Sequence, residues 1–551
     1  MFQHQPKRID TPLLLAFCAS AVVGLAAQWP GLANPYVVND DVRQQLFWMQ
    51  RWLDPALYPP DILNAYASLY VSWGVKALYR AGCLALDPLF FSKLVAAGLF
   101  AWLSALFFAT GRALRDGFLG LIALALCWFS PAFMENISGG LARGFAAPLL
   151  LLFILALLQR RRVLALAALF AQALFIPYIL LPCLLAAALH LAAWRLRLVR
   201  TPPVLRGLAD TLACVVALSL AVAWQHGIDA AGFGPLPWAS EVANRPEFYA
   251  GGRLDLLPPP SIAWEFFARP WAAFAPFREG LIPGIAFTCL ALPLLALGAR
   301  RADWKILAPQ AAPLCAVLAA SLALYAVARL VAFKLFVPSR YLEYTTNLFL
   351  CLGTAFLLDA LLRPRLTRSP RPLAAVLLGC ALAVGMLRQY GVELYDFSGD
   401  VALYAFARST PKDTRFAGPP DIMDTVLTFG QRNVYASFEL AHPWSAGYWA
   451  IIGPRLERLA DAAYAADPET LRRFCREEHI HFFVVDRRQY TPQFIAKGAF
   501  FEPYSTRIRQ LAARAAQDHG FAALSGRFPT VRIDADTSVL DMRPQARESR
   551  P

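Results

Sequence analysis

Two adjacent carboxylates, Asp40 and Asp41, follow shortly after the first apolar stretch of this chain. They directly precede a predicted helix whose apolar residues recur at helical spacing, namely Val42, Leu46, Met49 and Leu53. Such a helix is suited to lie along a membrane surface, and a carboxylate held there and partly desolvated is suited to accept a proton from an alcohol. The pair is therefore the candidate catalytic centre, with Asp41 preferred over Asp40.

A structural explanation of the same residues stays open, because Asn and Asp are favoured at helix N-termini. Asn39 or Asp40 would then simply cap the predicted helix. Neighbouring residues on a helix point about 100° apart, so only one of the two carboxylates is expected to face a substrate. Both explanations hold together if Asp40 lies at the cap and Asp41 lies in the site.

A second polar cluster lies between two later apolar stretches and contains Glu135, Asn136 and Arg143 around a Gly-Gly pair. Polar side chains on a glycine-containing turn are suited to line a substrate-binding site, but an ordinary solvated loop is the simpler explanation. Arg43, two residues after Asp41, is a further candidate for substrate binding.

Arg340 and Tyr341 stand where another apolar stretch begins. The planar guanidinium of Arg340 is suited to bind a lipid phosphate, whereas the alternative is a pair of interfacial anchors. Glu343 and Arg329 are expected to pair, since ionisable groups at membrane depth usually find partners. His442 follows a predicted strand and is a candidate binding residue or a structural one.

The composition places these residues in a membrane protein, since 58% of the 551 residues are hydrophobic and only 16% are charged, with a mean hydropathy of +0.45. About eleven apolar stretches are predicted to be transmembrane helices, several of them shorter than the usual ~20 residues. The first is expected to be retained rather than cleaved as a signal peptide. The stretches are 11–29, 91–110, 118–129, 146–158, 163–175, 179–193, 208–224, 281–297, 311–331, 342–362 and 373–387.

The net charge of +14 is confined to residues 1–390, because residues 391–551 contain 20 basic and 20 acidic residues. The basic residues fall in alternate short loops, starting with Lys7 and Arg8 and ending with the loop 363–371. By the positive-inside rule those loops and the N-terminus are cytoplasmic, and residues 391–551 are extracytoplasmic. No basic stripe interleaved with aromatic residues is present, so nucleic-acid binding is not expected.

The tail after Gly391 is predicted to be a small α/β domain, because short β-rich runs alternate with helical stretches. Strands are predicted at 433–438, 481–486 and 531–533, and helices at 467–479, capped by Asp467, and at 504–518. The fold class is thus a polytopic all-α transmembrane domain, residues 1–390 with a catalytic first loop at 31–90, followed by an α/β domain, residues 391–551. No Cys/His cluster predicts a metal site.

This plan resembles the GT-C superfamily, membrane glycosyltransferases that use polyprenyl-phosphate-linked sugars: one span, an acidic pair in the first extracytoplasmic loop, and many short spans. A group of poorly characterised bacterial membrane proteins resembles the chain through the run Asp41-x-Arg43-Gln44-Gln45-x-x-Trp48-x-x-Arg51-x-x-Asp54-Pro55, with Asp61 after it. Protein-mannosyltransferase relatives usually carry Asp-Glu in place of Asp40-Asp41. The oligosaccharyltransferase motif WWDYG is absent.

The resemblance implies an inner-membrane hexosyl- or pentosyltransferase of the cell envelope, with a polyprenyl-phosphate sugar as donor and a glycan, lipid or protein as acceptor. Asp41 or Asp40 would act as the base, and Arg340 with Arg143 would stabilise the departing phosphate. A divalent metal, Mg or Mn, is compatible with the class but is not required by the spacing. Two alternatives stay open: a transporter or flippase of lipid-linked saccharides, and a non-catalytic assembly factor that binds lipid or protein.

Overall fold

A computed structural model of the protein describes residues 10–331, 333–366, 371–517 and 520–544. Each of the eleven predicted apolar stretches forms a helix there. The basic residues at positions 7, 8 and 368 lie outside the described residues. The helices of the first 390 residues are α1 Thr11–Ala33, α2 Val42–Gln45, α3 Ile62–Tyr70, α4 Trp73–Gly82, α5 Pro88–Leu114, α6 Gly117–Phe129, α7 Pro131–Ile137, α8 Ala146–Leu158, α9 Arg162–Phe175, α10 Pro177–Arg195, α11 Leu208–Ala230, α12 Ala239–Val242, α13 Arg269–Phe274, α14 Leu281–Arg301, α15 Ala311–Leu330, α16 Arg340–Leu366 and α17 Arg371–Gln389.

Within the described ranges, seven helices are long and apolar enough to cross a membrane. The pair α6 and α7 passes the same test as one span, but it is bent by 64° where Pro131 begins α7. The helices α8 and α9 are shorter, as the sequence predicts. Almost every residue of α8 is buried, which explains why its sequence is apolar on all sides. The chain is therefore a multi-pass membrane protein.

The first loop, between α1 and α5, is folded rather than extended. The prediction of one amphipathic helix after the acidic pair is wrong, because α2 has only four residues and a 3₁₀ helix, Phe47–Trp52, follows it. Val42, Leu46 and Met49 are fully buried, but Leu53 is half exposed because the change of helix type rotates it away from the others. The loop thus packs into the main hydrophobic core, together with the membrane helices and the C-terminal region, rather than lying flat on a membrane surface.

The tail forms a five-stranded mixed sheet with helices around it, which confirms the predicted α/β fold class. Strand β3 lies between β4 and β5 and is parallel to both, and β7 lies antiparallel between β5 and β6. Three of the strands were expected from the sequence with slightly different bounds; Asp467 caps α21 as predicted, and position 518 lies outside the described residues. The elements are β3 Arg415–Ala417, β4 Asn433–Val434, β5 Phe482–Asp486, β6 Thr530–Arg532, β7 Thr537–Asp541, α18 Val401–Ser409, α19 Pro420–Thr428, α20 Ala446–Ala463, α21 Pro468–Glu477, α22 Pro492–Gly498 and α23 Tyr504–Gln517.

The tail and the first loop are tied together along their length. Strand β1, Val37–Val38 of the loop, pairs antiparallel with β2, Tyr395–Asp396. The Tyr58 hydroxyl donates to the Leu427 carbonyl at 2.9 Å, and Asp61 forms an ion pair with Arg415 at 2.8 Å. The acidic pair is therefore positioned from two sides, by the membrane helices and by the C-terminal region.

Candidate active site

A cavity of about 1210 Å³ lies where the first loop, the membrane helices and the C-terminal region meet. Leu181, Leu218 and Val222 of α10 and α11 belong to its apolar wall, and both Asp40 and Asp41 line it. The expectation that only one carboxylate faces the site is wrong, because the two residues precede the short helix α2 instead of lying within a regular helix. Other parts of the lining come from 175–178, 253–257, 333–341 and 438–445.

Asp41 is held by two side chains. Its carboxylate lies 2.5 Å from Nη1 of Arg143 and accepts a hydrogen bond from Nε2 of Gln44 at 2.6 Å. The backbone N–H of Asp41 donates to Oδ1 of Asn39 at 3.2 Å in the turn before α2. The expected helix cap by Asn39 or Asp40 is wrong, because Asp41 is the N-cap residue and no side chain caps the helix. The ion pair and the hydrogen bond together fix the orientation of the Asp41 carboxylate.

Asp40 forms an ion pair with Arg43 and is the more exposed of the two acids. Arg43 is buried behind the cavity and does not line it. Its guanidinium lies 4.2 Å from the centre of the Phe397 ring and within 4 Å of two buried carboxylates of the C-terminal region, Asp424 and Glu439. The structure therefore places Arg43 as a link between the first loop and the C-terminal region.

Asp424 and Glu439 were not among the expected site residues, and only Glu439 lines the cavity. Glu439 pairs with Arg253 at 3.3 Å, and the hydroxyl of Ser437 donates to Asp424. Burial raises the pKa of both carboxyls, and repulsion from Asp424 raises that of Glu439 further. Glu439 follows β4 in the chain, so its position beyond the end of a strand was the available sequence signal.

Arg340, the first residue of α16, lines the same cavity. Its Nη1 lies within 3.2 to 3.4 Å of acceptor oxygens on Asn136, Glu343 and Tyr344. Asn136 is outside the lining and holds Arg340 from behind. Tyr341 also lines the cavity, but its hydroxyl donates to the Leu335 carbonyl at 2.6 Å.

Four more cations line the cavity that were not among the expected site residues: Arg253, Arg269, Arg329 and Lys334. The expected pair between Glu343 and Arg329 is wrong. Glu343 pairs instead with Arg269 at 3.3 Å and with Arg340 at 3.4 Å, whereas Arg329 donates to the carbonyl of Pro260. The segment 253–269 thus contributes the Pro260 carbonyl as an acceptor for Arg329, and it places two arginines, Arg253 and Arg269, in the cavity lining.

The structure does not bring Glu135 into the cavity lining, since its carboxylate pairs with Arg278 at 3.2 Å. His442 does line the cavity. Its Nδ1 lies 3.0 Å from the Tyr66 hydroxyl, and its ring stacks on Trp444 with centroids 4.1 Å apart. Burial holds the pKa of His442 well below its usual range, so the imidazole is neutral.

The acidic pair does not fit a divalent cation well. Asp40 and Asp41 each face an arginine, and among the described residues no three His, Cys, Asp or Glu side chains come together as possible metal ligands. The guanidinium groups already supply the positive charge that a metal would bring to these carboxylates.

Comparisons with known proteins identify the fold through solved structures. No protein-family model and no curated sequence matches the chain. The oligosaccharyltransferase of Archaeoglobus fulgidus in complex with Zn and sulfate is similar, with 11% identity, a TM-score of 0.52, and coverage of 89% of this chain and 70% of that one. The same enzyme, AglB, in complex with an inhibitory peptide and a dolichol-phosphate has 11% identity, a TM-score of 0.51, and coverage of 90% and 72%. ArnT from Cupriavidus metallidurans bound to undecaprenyl phosphate has 12% identity, a TM-score of 0.47, and coverage of 98% and 100%. At these identities the comparison shows the fold alone: the chain has the fold of the Archaeoglobus fulgidus oligosaccharyltransferase, and the expected resemblance is confirmed at that level.

Proposed function

We propose that this protein is a bacterial inner-membrane glycosyltransferase that moves a sugar from a polyprenyl-phosphate donor to an acceptor hydroxyl. The observation that carries the proposal is that one cavity is lined by two carboxylates, by Arg340 and by apolar residues of the membrane helices. A lipid-linked sugar needs these three environments at once: an apolar surface for the chain, a cation for the phosphate, and a base beside the sugar.

In the proposed reaction the Asp41 carboxylate, or failing that Asp40, accepts the proton of the acceptor hydroxyl. The acceptor oxygen forms a bond to the anomeric carbon while the bond from that carbon to the phosphate oxygen breaks. Arg340 stabilises the charge that develops on the departing lipid phosphate. Because this is one direct displacement, the anomeric configuration is inverted.

The contacts of the remaining site residues suggest supporting roles. Arg143 holds the Asp41 carboxylate in place through their ion pair, and it lines the cavity where the phosphate would leave. Tyr341 and His442 are proposed to contact the donor or the acceptor from the cavity wall. The positions expected to bind substrate but found outside the lining, Glu135, Asn136 and Arg43, would act on it only through other side chains.

The fold comparison supports the same class of substrate. A protein of this fold binds a dolichol-phosphate and a peptide, so a polyprenyl-phosphate donor is the natural candidate here. We further propose that residues 1–390 form the membrane domain with a cytoplasmic N-terminus, and that residues 391–551 form a periplasmic domain. The basic loops of the membrane part support this orientation.

The proposal is tested by sugar transfer in membranes from cells that make this chain, with a panel of radiolabelled polyprenyl-phosphate sugars. We expect Asp41→Asn to lower transfer about 10²- to 10⁴-fold, the usual contribution of a general base. Asp54→Asn is the matched control, because Asp54 belongs to the same loop but pairs with Lys412 away from the cavity; it should transfer like wild type.

Each outcome discriminates between the open hypotheses. Full transfer by both Asp41→Asn and Asp40→Asn would refute the carboxylate mechanism. Absence of transfer by the wild type, with movement of labelled lipid-linked saccharide across reconstituted vesicles, would favour a transporter. Binding of the lipid without either activity would favour an assembly factor.

A further inference from the structure

One amide group bridges the first loop and the C-terminal region inside the cavity. Nε2 of Gln44 donates to Oδ1 of Asp41 at 2.6 Å and to Oε2 of Glu439 at 3.4 Å. A side-chain amide has two N–H groups, so it can donate one to each carboxylate. The two acids stand 398 positions apart in the chain and share this single donor.

Glu439 is itself firmly held. Oε2 accepts from Nη2 of Arg253 at 3.3 Å, and Oε1 lies 3.8 Å from Nη2 of Arg43. The backbone N–H of Glu439 donates to the buried carboxylate of Asp424 at 3.1 Å. Arg253 is fixed in turn, because it lies over the ring of Phe438 and donates to the carbonyl of the same residue.

Helix α2 by itself gives the Gln44 side chain little support. Helix α2 has four residues, and its N-cap residue Asp41 makes no side-chain capping bond. A helix of one turn is not stable alone, and a free glutamine side chain has several rotamers that cost entropy to restrict. The orientation of Gln44, and with it one of the two hydrogen bonds that fix Asp41, therefore depends on Glu439.

We propose that Glu439 is a positioning residue that orients the Asp41 carboxylate through the amide of Gln44. This inference rests on the proposed function, because it assumes that Asp41 is the base. It makes the C-terminal region part of the catalytic machinery rather than only a site for acceptor or partner binding. It also predicts that Gln44 and Glu439 act as one unit.

The test compares purified wild type with Gln44→Ala, Glu439→Ala, the double variant and Glu439→Gln. Small displacements of a reacting group cost up to about 100-fold in rate, so we expect each alanine variant to lower kcat about 10- to 100-fold, with the donor KM within about twofold of wild type. The double variant should lose no more than either single variant, because the two residues share one pathway. Glu439→Gln retains an acceptor oxygen and should recover part of the activity.

A second readout does not depend on transfer. Carbodiimide labelling of carboxyls, read by mass spectrometry, should label Asp41 faster in Glu439→Ala than in wild type, since Gln44 then no longer covers it. The matched control is Asp61→Asn, which weakens an ion pair with Arg415 at the same interface but does not line the cavity. This control should leave both kcat and Asp41 labelling at the wild-type level.

The outcomes separate this inference from the proposed function. Wild-type kcat in Glu439→Ala, fully additive losses in the double variant, or unchanged labelling of Asp41 would each overturn the positioning role. Equal losses in Asp61→Asn would show that the interface, and not this bridge, is what matters. If no variant, including wild type, transfers sugar, the proposed function fails, and the labelling result still decides whether Glu439 positions Asp41.

Discussion

Replacement of Arg43 by methionine should destabilise the junction between the first loop and the C-terminal region. Methionine keeps the length of the arginine stem over Phe397 but removes the charge. That charge faces the buried carboxylates Asp424 and Glu439 at 3.9 and 3.8 Å, and its own side chain is only 8% exposed. Removing one partner of a buried ion cluster leaves uncompensated charge and costs about 3–5 kcal/mol of the free energy of unfolding.

The loss should depend on pH, because both carboxyls can become neutral. Burial raises their pKa in the folded protein, so the folded state binds more protons than the unfolded state above the ordinary carboxyl pKa of about 4. The stability that these groups contribute is therefore complete below that value and is lost as the pH rises through their folded pKa. Without Arg43 the folded pKa values rise further, and the penalty should be larger at pH 8.5 than at pH 5.5.

Thermal unfolding of the purified protein in detergent measures this effect. A unit of the size of the C-terminal region loses about 2–4 °C of Tm for each kcal/mol of lost stability. If that region unfolds as one unit, a loss of about 3–5 kcal/mol should lower the Tm by about 6–20 °C at pH 8.5 and by clearly less at pH 5.5. Adding Asp424→Asn to Arg43→Met should restore part of the loss, because it removes one unpaired carboxylate. An equal Tm loss at both pH values, or no loss at pH 8.5, would refute this view of the cluster.

Three further predictions concern the cavity and its walls. Arg340→Met should weaken binding of the donor and raise its KM, whereas Arg340→Lys should retain part of the affinity because its point charge remains. Binding of polyprenyl phosphate to the protein in nanodiscs measures this, and wild-type affinity in both variants would exclude a phosphate contact. Transfer should persist in EDTA, because arginines already neutralise Asp40 and Asp41; loss of transfer that added Mg²⁺ restores would contradict the fit. Gly447→Ala should lower the Tm, because a Cβ there would overlap the carbonyl oxygen of Gly232, and an unchanged Tm would show that this close backbone contact is not needed.

The helices of the membrane part were predictable because hydropathy is a local property. All eleven apolar stretches form helices, and even the short ones were expected. The bend between α6 and α7 and the break after α2 were not predicted. In the second case the apolar spacing continued to Leu53, but the chain changed to a 3₁₀ helix after four residues, because tertiary packing overrides a periodic pattern in so short a segment.

The candidate site was predictable only in part. Polar residues in loops drew attention to Asp41, Arg340 and His442, and all three line one cavity. Glu439 and Asp424 were missed because their significance lies in their contacts with Arg43, almost 400 positions away in the chain. The same limitation applies to β1 and β2, since two-residue strands carry no pattern of their own.

The short helix α2 explains why the C-terminal region matters for this site. A helix of four residues cannot by itself fix the directions of the side chains in and before it. Nevertheless, Asp40, Asp41, Arg43 and Gln44 each have a defined partner. For Arg43 and Gln44 those partners include Asp424 and Glu439, which only the folded tail supplies. The geometry around the proposed base therefore depends on the contact between the first loop and the folded C-terminal region, and any account of the activity has to include both.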